Sequence, residues 1–387
     1  MSFIFFKPFR PKSAAELVKS TRDALAALDD KTVADVRLLD KALEEVDKNL
    51  LAMKHMILGD GEAEPSPDLV VQLVAEVCKD DFLEILIHKL PNLGWEARKD
   101  TVQVWCILLR QKGGLAVHCL ENHPELLDFL ISCYQNKDTA LNCGVMLREC
   151  SRFASLAAYM LESASFELFF KLVELPNFDI ASDAFTTFKE LLTRHGSVVN
   201  NYLNSHYDQF FELYERLLSS SNYVTKRQSL KLLGDFLLDR SNTQVMLRYI
   251  SDKRNLLIVM TLLKDPSKSI QSSAFHIFKV RLVDQQMASS LVLVQVFVAN
   301  PKKPAPIVHV LAKNRDRLLR FLDKFHLDKG TYILTNLCCC STIRACGRVH
   351  VHLQRTSSLR KKRSCWSRRS RRWPHADGVF ICAPHPH

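Results

Sequence analysis

Phe178-Asp-Ile-Ala-Ser-Asp-Ala-Phe-Thr-Thr-Phe-Lys-Glu-Leu-Leu192 and Tyr223-Val-Thr-Lys-Arg-Gln-Ser-Leu-Lys-Leu-Leu-Gly-Asp-Phe-Leu237 are two versions of one unit. Each sets a small residue (Ala184, Ser229) beside an apolar one (Phe185, Leu230) and puts a second apolar residue four positions on (Phe188, Leu233). That spacing lays a stripe along one face of a helix. The signature recurs at Thr101, Val102 and Trp105, at Cys143, Gly144 and Leu147, and at Ala274, Phe275 and Phe278. The small residues therefore fall at 101, 143, 184, 229 and 274, in steps of 42, 41, 45 and 45 residues.

Steps of this length match repeats of two or three helices, and they predict an all-α, armadillo/HEAT-like helical-repeat solenoid. A small residue at the packing point lets neighbouring helices approach closely, where a bulky side chain would push the stack apart. Between residues 67 and 325 the chain is punctuated by Leu90-Pro-Asn-Leu-Gly94, Asn122-His-Pro124, Leu175-Pro-Asn177, His195-Gly-Ser197 and Lys264-Asp-Pro266. Such punctuation delivers short helices, a few per repeat, rather than the long ones of a bundle. Upstream, Ser13-Ala-Ala-Glu16 reads as a capping box opening a helix through Ala27, and a longer helix runs from about Val36 to Leu58. The first 280 residues are expected to hold almost no strand, because no apolar run alternates with period two.

Charge divides the chain. Of 53 Lys and Arg and 42 Asp and Glu, 11 cations and one acid, Asp377, lie after Gly330, leaving 42 and 41 before it. A neutral body is therefore followed by a basic tail. Six cysteines are scattered through the body (Cys78, Cys106, Cys119, Cys133, Cys143, Cys150), and six more follow residue 337. Met1-Ser-Phe-Ile-Phe-Phe6 is too short an apolar run for a secretory signal, which points to free thiols in a reducing compartment. No stretch of 18 apolar residues exists to cross a membrane.

Chemistry-bearing motifs are scarce. Gly59-Asp-Gly-Glu-Ala-Glu-Pro-Ser-Pro-Asp68 is acidic, but two prolines break the alternating oxygen pattern that a calcium loop needs, and a solvated linker is expected. Phosphate-binding glycine loops, nucleophile elbows and His-Glu-x-x-His are all absent, so no catalytic residue, metal or cofactor is expected. His118 and Cys119 are adjacent in a helix and face apart, which favours packing over a nucleophile and base. In the tail, the spacing of Cys338, Cys339, Cys340, Cys346, His350 and His352 matches no zinc knuckle. The run around Arg368-Arg-Ser-Arg-Arg372, flanked by Trp366 and Trp373, suits phosphate neutralisation.

Superposing the repeats on their small residues aligns Trp95, Lys137, Phe178, Tyr223 and Lys268 in one column. Lys99, Leu141, Ser182, Arg227 and Ser272 form a second column one turn later. Tyr223, Arg227 and Lys231 recur at i, i+4 and i+8, so an aromatic and two cations share a helix face opposite the Leu230 and Leu233 stripe. Arginine favours bidentate contact with carboxylates, and tyrosine supplies rigid apolar area with a polar tip. The same residues also suit a solvated helix face, and the pattern leaves both readings open.

Asn142-Cys-Gly-Val-Met-Leu-Arg-Glu-Cys150, Phe178 to Phe185 with Leu191-Leu-Thr-Arg-His195, Asn222 to Gly234 and Phe297-Val-Ala-Asn-Pro301 resemble signature stretches of the calcium-binding protein 39 family, also called Mo-25. The resemblance covers the chain to Val280 and again from Phe297 to about Lys329. It implies a cytoplasmic, non-catalytic scaffold that binds sterile-twenty-type kinases or pseudokinases and holds them active. It further implies that Tyr223, Arg227, Lys231 and Met260 contact the partner, with Met260 walling a pocket for an aromatic and acidic C-terminal peptide, although its own sequence context reads as core. Two departures stand out: an insert at 281–296 and a tail at 330–387 expected to be irregular. The domain reading is a solenoid over 1–329 followed by that tail. The alternative is a nuclear-transport or nucleic-acid adaptor using the basic tail, but the Trp and Asn ladders of such grooves are missing, with only Trp95 and Trp105 in the body.

Overall fold

The computed structural model describes residues 12–28, 36–59, 65–279, 281–282, 294–295 and 303–324. The helices are α1 (Ala14–Ala27), α2 (Val36–Leu58), α3 (Pro67–Val77), α4 (Phe82–Lys89), α5 (Trp95–Arg110), α6 (Leu115–Asn122), α7 (Glu125–Ser132), α8 (Ala140–Cys150), α9 (Ala154–Glu162) and α10 (Phe169–Leu172). They continue with α11 (Phe178–Thr193), α12 (Gly196–Ser205), α13 (Tyr207–Leu218), α14 (Tyr223–Leu237), α15 (Thr243–Ser251), α16 (Lys253–Leu262), α17 (Lys268–Lys279), α18 (Ala305–Lys313) and α19 (Arg315–Lys324). Among the described residues the only strand pairing is antiparallel, Arg281 with Gln295 and Leu282 with Val294, at the two ends of the insert. The insert thus follows directly on α17, and the fold is all-α.

The chain divides into two compact units, residues 1–246 and 247–387. In the first, three ladders of helices are stacked. First helices follow one another as α3, α6, α9 and α12, and third helices as α2, α5, α8, α11 and α14. Second helices run from α4 to α7 and through the 3-10 turn Ala164–Leu168 and α10 to α13. A repeat is therefore three helices, and the periodic small residues all lie in the third. In the second unit α16 packs against α17 and α18. The expected boundary after Lys329 and the tail at 330–387 lie outside the described residues.

Helix starts follow from local chemistry. Ser13 and Glu16 close the predicted capping box on α1: the Ser13 hydroxyl accepts from the Glu16 amide at 3.3 Å and the Glu16 carboxylate accepts from the Ser13 amide at 2.7 Å. Asn177 and Asn222 start α11 and α14 in the same way. Asn177 Oδ1 accepts from the amides of Asp179 and Ile180 (3.1 and 3.2 Å), and Asn222 Oδ1 from those of Val224 and Thr225 (2.9 and 3.4 Å). An asparagine cap satisfies amides that the first helical turn leaves unpaired.

Thr101, Cys143, Ala184, Ser229 and Ala274 are all buried at 1% exposure or less, and Trp105, Leu147, Phe188, Leu233 and Phe278 four positions on are buried at 3% or less. Between the third and fourth repeats the core is aromatic. Phe166, Phe170, Phe188, Phe210, Tyr214 and Phe236 meet largely edge to face, Tyr214 and Phe236 with centroids 5.4 Å apart. The Tyr214 hydroxyl donates to the Ser229 carbonyl at 2.7 Å, which ties α13 to the packing point of α14.

At Gly144 the α8 backbone lies close against side chains of its neighbours. A Cβ there would run into the Asp183 carboxylate and the Tyr134 hydroxyl. Those groups belong to one buried network: the Arg148 guanidinium grips both Asp183 oxygens at 2.9 Å, and the Tyr134 hydroxyl donates to Asp183 at 2.8 Å and meets the Thr187 hydroxyl at 2.7 Å. Burial pushes the Tyr134 phenol well above its ordinary range. Ion pairs join every other step of the third-helix ladder as well, namely Lys54 to Asp100, Arg110 to Glu149 and Lys189 to Asp235. The hydrogen bonds from Arg110 hold the Glu149 carboxyl below the usual range against the opposing effect of burial. Its stabilisation is therefore present above about pH 4.3 and is lost as pH falls toward the folded value.

Replacing Gly144 by Ala sets two effects against each other. Helix propensity favours Ala by about 1 kcal/mol. Overpacking costs about 1–3 kcal/mol, and here it also displaces a buried, charge-assisted network. The expected outcome is net destabilisation, read as a lower urea midpoint than wild type; an equal or higher midpoint contradicts the close-approach account.

Candidate docking face

Six residues before each packing point lie Trp95, Lys137, Phe178 and Tyr223 along the first unit, Lys137 in the turn that precedes α8, and all four are exposed. Trp95, Phe178 and Tyr223 open α5, α11 and α14, with exposures of 70%, 65% and 48%. Lys99, Leu141, Ser182 and Arg227 follow one turn later and are exposed too. Since the third helices are stacked neighbours, these positions make two adjacent columns on one side of the ladder. The first four positions of each column aligned from the sequence are therefore exposed; Lys268 and Ser272, the fifth of each, belong to the second unit and are exposed there.

Between α11 and α14 this side opens into a cleft of about 460 Å³. Its walls include Pro176, Phe178, Ser182, Phe185 and Lys189 from the α11 side and Val224, Thr225, Gln228 and Lys231 from α14. Thr225 is fixed there by donating to the Val173 carbonyl at 3.1 Å, and Ser220 donates to Glu174 at 2.9 Å at the cleft's edge. Of the four residues singled out from sequence, only Lys231 lines the cleft. Tyr223 and Arg227 are exposed on the same helix outside the lining, and Met260 is in the second unit, on α16, buried at 5% exposure. Phe178 and Ser182 were legible in the two columns; Phe185, read from the sequence as part of the apolar stripe, is half-buried at the cleft; Val224 and Gln228 carried no signal, because a helix residue joins a cleft only through its neighbour.

Electrostatics separates the cations of this region into two groups. Arg110, Arg148 and Lys189 each answer an acid on the next third helix. Arg227 and Lys231 are exposed and, among the described residues, make no ion pair or hydrogen bond. Two uncommitted cations beside an exposed tyrosine and a cleft of mixed polar and apolar lining are suited to an acidic partner carrying an aromatic or aliphatic anchor. No group of three or more His, Cys, Asp or Glu residues that could hold a metal exists among the described residues. No described helix is long and apolar enough to cross a membrane. The His118 imidazole turns to Glu121 at 3.4 Å rather than to Cys119.

If Met260 is core and Arg227 is surface, their truncations part company in the free protein. Met260→Ala is expected to cost about 2–4 kcal/mol of stability and Arg227→Ala less than about 0.5 kcal/mol, measured by urea unfolding of the unbound chain. A large loss from Arg227→Ala reverses the assignment.

A family model described as Mo25-like matches residues 3–332. Over 321 residues the chain is 45% identical to the human protein named calcium-binding protein 39-like, covering 82% of this chain and 89% of that one. It is 43% identical over 327 residues to a putative MO25-like protein of Arabidopsis thaliana (83% and 91% covered) and 40% identical over 335 residues to the Mo25-like protein of Schizosaccharomyces pombe (85% and 94%). Among solved structures, a computationally designed armadillo repeat protein for modular peptide recognition aligns at a TM-score of 0.39 and 10% identity, covering 68% of this chain and 97% of that one.

Proposed function

The chain belongs to the Mo25-like family, and from that premise we propose that it is a non-catalytic, cytoplasmic scaffold that binds and activates a sterile-twenty-type protein kinase or pseudokinase. The observation that carries the proposal is the pair of exposed, uncommitted cations Arg227 and Lys231 on α14, set beside Tyr223 and the α11–α14 cleft. Arg227 supplies a bidentate grip on a partner carboxylate, Tyr223 a rigid aromatic contact, and Lys231 a charge at the mouth of the cleft. Met260 is proposed to bound a pocket for an aromatic and acidic C-terminal peptide of the partner.

Activation by a scaffold needs no chemistry of its own. A protein that binds the active arrangement of a kinase more tightly than the inactive one shifts the population toward the active state by the ratio of the two affinities. A wide, stacked helical surface suits this role, because it contacts several parts of the partner at once and prefers the arrangement in which all of them fit.

Calorimetric titration of a sterile-twenty-type kinase tests the assignment. Arg227→Ala is expected to weaken binding by about 2 kcal/mol, or roughly 30-fold, if the arginine is desolvated against a partner acid, whereas a solvated cation is worth under about 0.5 kcal/mol. Equal affinity of wild type and variant removes Arg227 from the docking face; absence of binding by wild type removes the scaffold proposal itself.

A further inference from the structure

The six described cysteines fall into two groups. Cys106, Cys133, Cys143 and Cys150 are buried, whereas Cys78 and Cys119 are half-exposed. Cys78 caps the C-terminus of α3 and Cys119 is in α6, and α3 and α6 are the stacked first helices of the first two repeats. Forty-one residues apart in sequence, the two meet at this seam, where the Cys119 thiol donates to the Cys78 carbonyl oxygen at 3.9 Å.

We propose that Cys78 and Cys119 form a peroxide-reactive thiol pair, in which Cys119 is the nucleophile and Cys78 the resolving thiol, closing a reversible disulfide between neighbouring repeats. The thiolate is the reactive form of cysteine. Contact with the Cys78 side chain pulls Cys119 down to about 7, with His123 and His118 favouring the thiolate as well and burial opposing it. The same contact, with burial, pushes Cys78 up, which leaves Cys119 the readier thiolate of the pair. Burial pushes Cys106 up to about 11 and raises Cys150 further, which leaves both inert. Cys133 and Cys143 also meet, but at 6% and 0% exposure they are closed to peroxide.

The chemistry balances in two steps. The Cys119 thiolate attacks one oxygen of hydrogen peroxide; an S–O bond forms, the O–O bond breaks and hydroxide leaves, giving a sulfenic acid. The Cys78 sulfur then attacks the Cys119 sulfur; an S–S bond forms, the S–O bond breaks, and the departing hydroxide takes the Cys78 proton and leaves as water. Two thiols are oxidised, one peroxide is reduced to two waters, and an external thiol reverses the bond.

The test is made on the full-length, fully reduced chain. It is treated at neutral pH with about a tenfold molar excess of hydrogen peroxide, alkylated and mapped by peptide mass spectrometry. The expected result is a linked pair of peptides carrying Cys78 and Cys119, lost on reduction with dithiothreitol, while Cys106 and Cys150 stay fully alkylatable. In Cys78→Ser the sulfenic acid at Cys119 lacks its resolving partner and is expected to be trapped by dimedone at least several-fold above wild type, in a protein whose helical circular dichroism is unchanged. Undiminished alkylation of Cys119 after peroxide, or a disulfide from Cys119 to a cysteine beyond residue 337, overturns the proposal.

Discussion

Third helices of neighbouring repeats can lie against one another only where the residue at the packing point is small. This constraint sets the whole first unit. A leucine at Cys143, Ala184 or Ser229 would overpack a fully buried site, at the cost that extra methylenes carry in a close-packed interior. Gly144 shows the constraint at its limit, since not even a methyl group fits between the α8 backbone and the Asp183 and Tyr134 side chains. Once the small residue fixes the contact, helical geometry fixes everything at set offsets from it. Four residues on, an apolar side chain enters the core; six residues before, the residue that opens α5, α11 and α14 faces outward. The exposed aromatics Trp95, Phe178 and Tyr223 follow from the same register that buries Trp105, Phe188 and Leu233.

Charge is laid out on that frame in two ways. Acids near a packing point (Asp100 and Glu149, buried, and Asp183, half-buried) are each answered by a cation of the adjoining helix. A buried pair of this kind adds little net stability over apolar residues, but losing either partner strands a buried charge, so it selects one stacking register over its neighbours. Arg227 and Lys231 have no such duty. Their exposure without a partner costs little while the protein is alone and leaves two strong donors available for a partner surface.

Much of the fold was written in the sequence because it depends on local periodicity. The 41–45-residue recurrence, the capping box at Ser13 and Glu16 and the limits of the first two helices all reflect interactions within a few residues. The three-helix make-up of each repeat was less clear, since α10 is only four residues long and is entered through a 3-10 turn. Contacts across 40 or more residues left no trace. Nothing in Gly144 announces Asp183, nothing in Val224 or Gln228 announces the cleft shared with Phe185, and Cys78 and Cys119 become a pair only when α3 meets α6. For the docking face, periodicity identified the columns, whereas the family resemblance alone brought in Met260, whose burial matches its apolar context.

The most direct measurement of the central claim, that one packing register both builds the ladder and presents its aromatic column for docking, is hydroxyl-radical footprinting with and without a sterile-twenty-type kinase. In the free chain, Trp95, Phe178 and Tyr223 are expected to oxidise readily, whereas Phe188, Tyr214 and Phe236, buried in the same repeats, stay protected. On kinase binding, oxidation of Phe178 and Tyr223 is expected to fall several-fold while the buried set does not change. Unaltered oxidation of Phe178 and Tyr223 in a saturated complex, with protection elsewhere on the chain, would contradict the account.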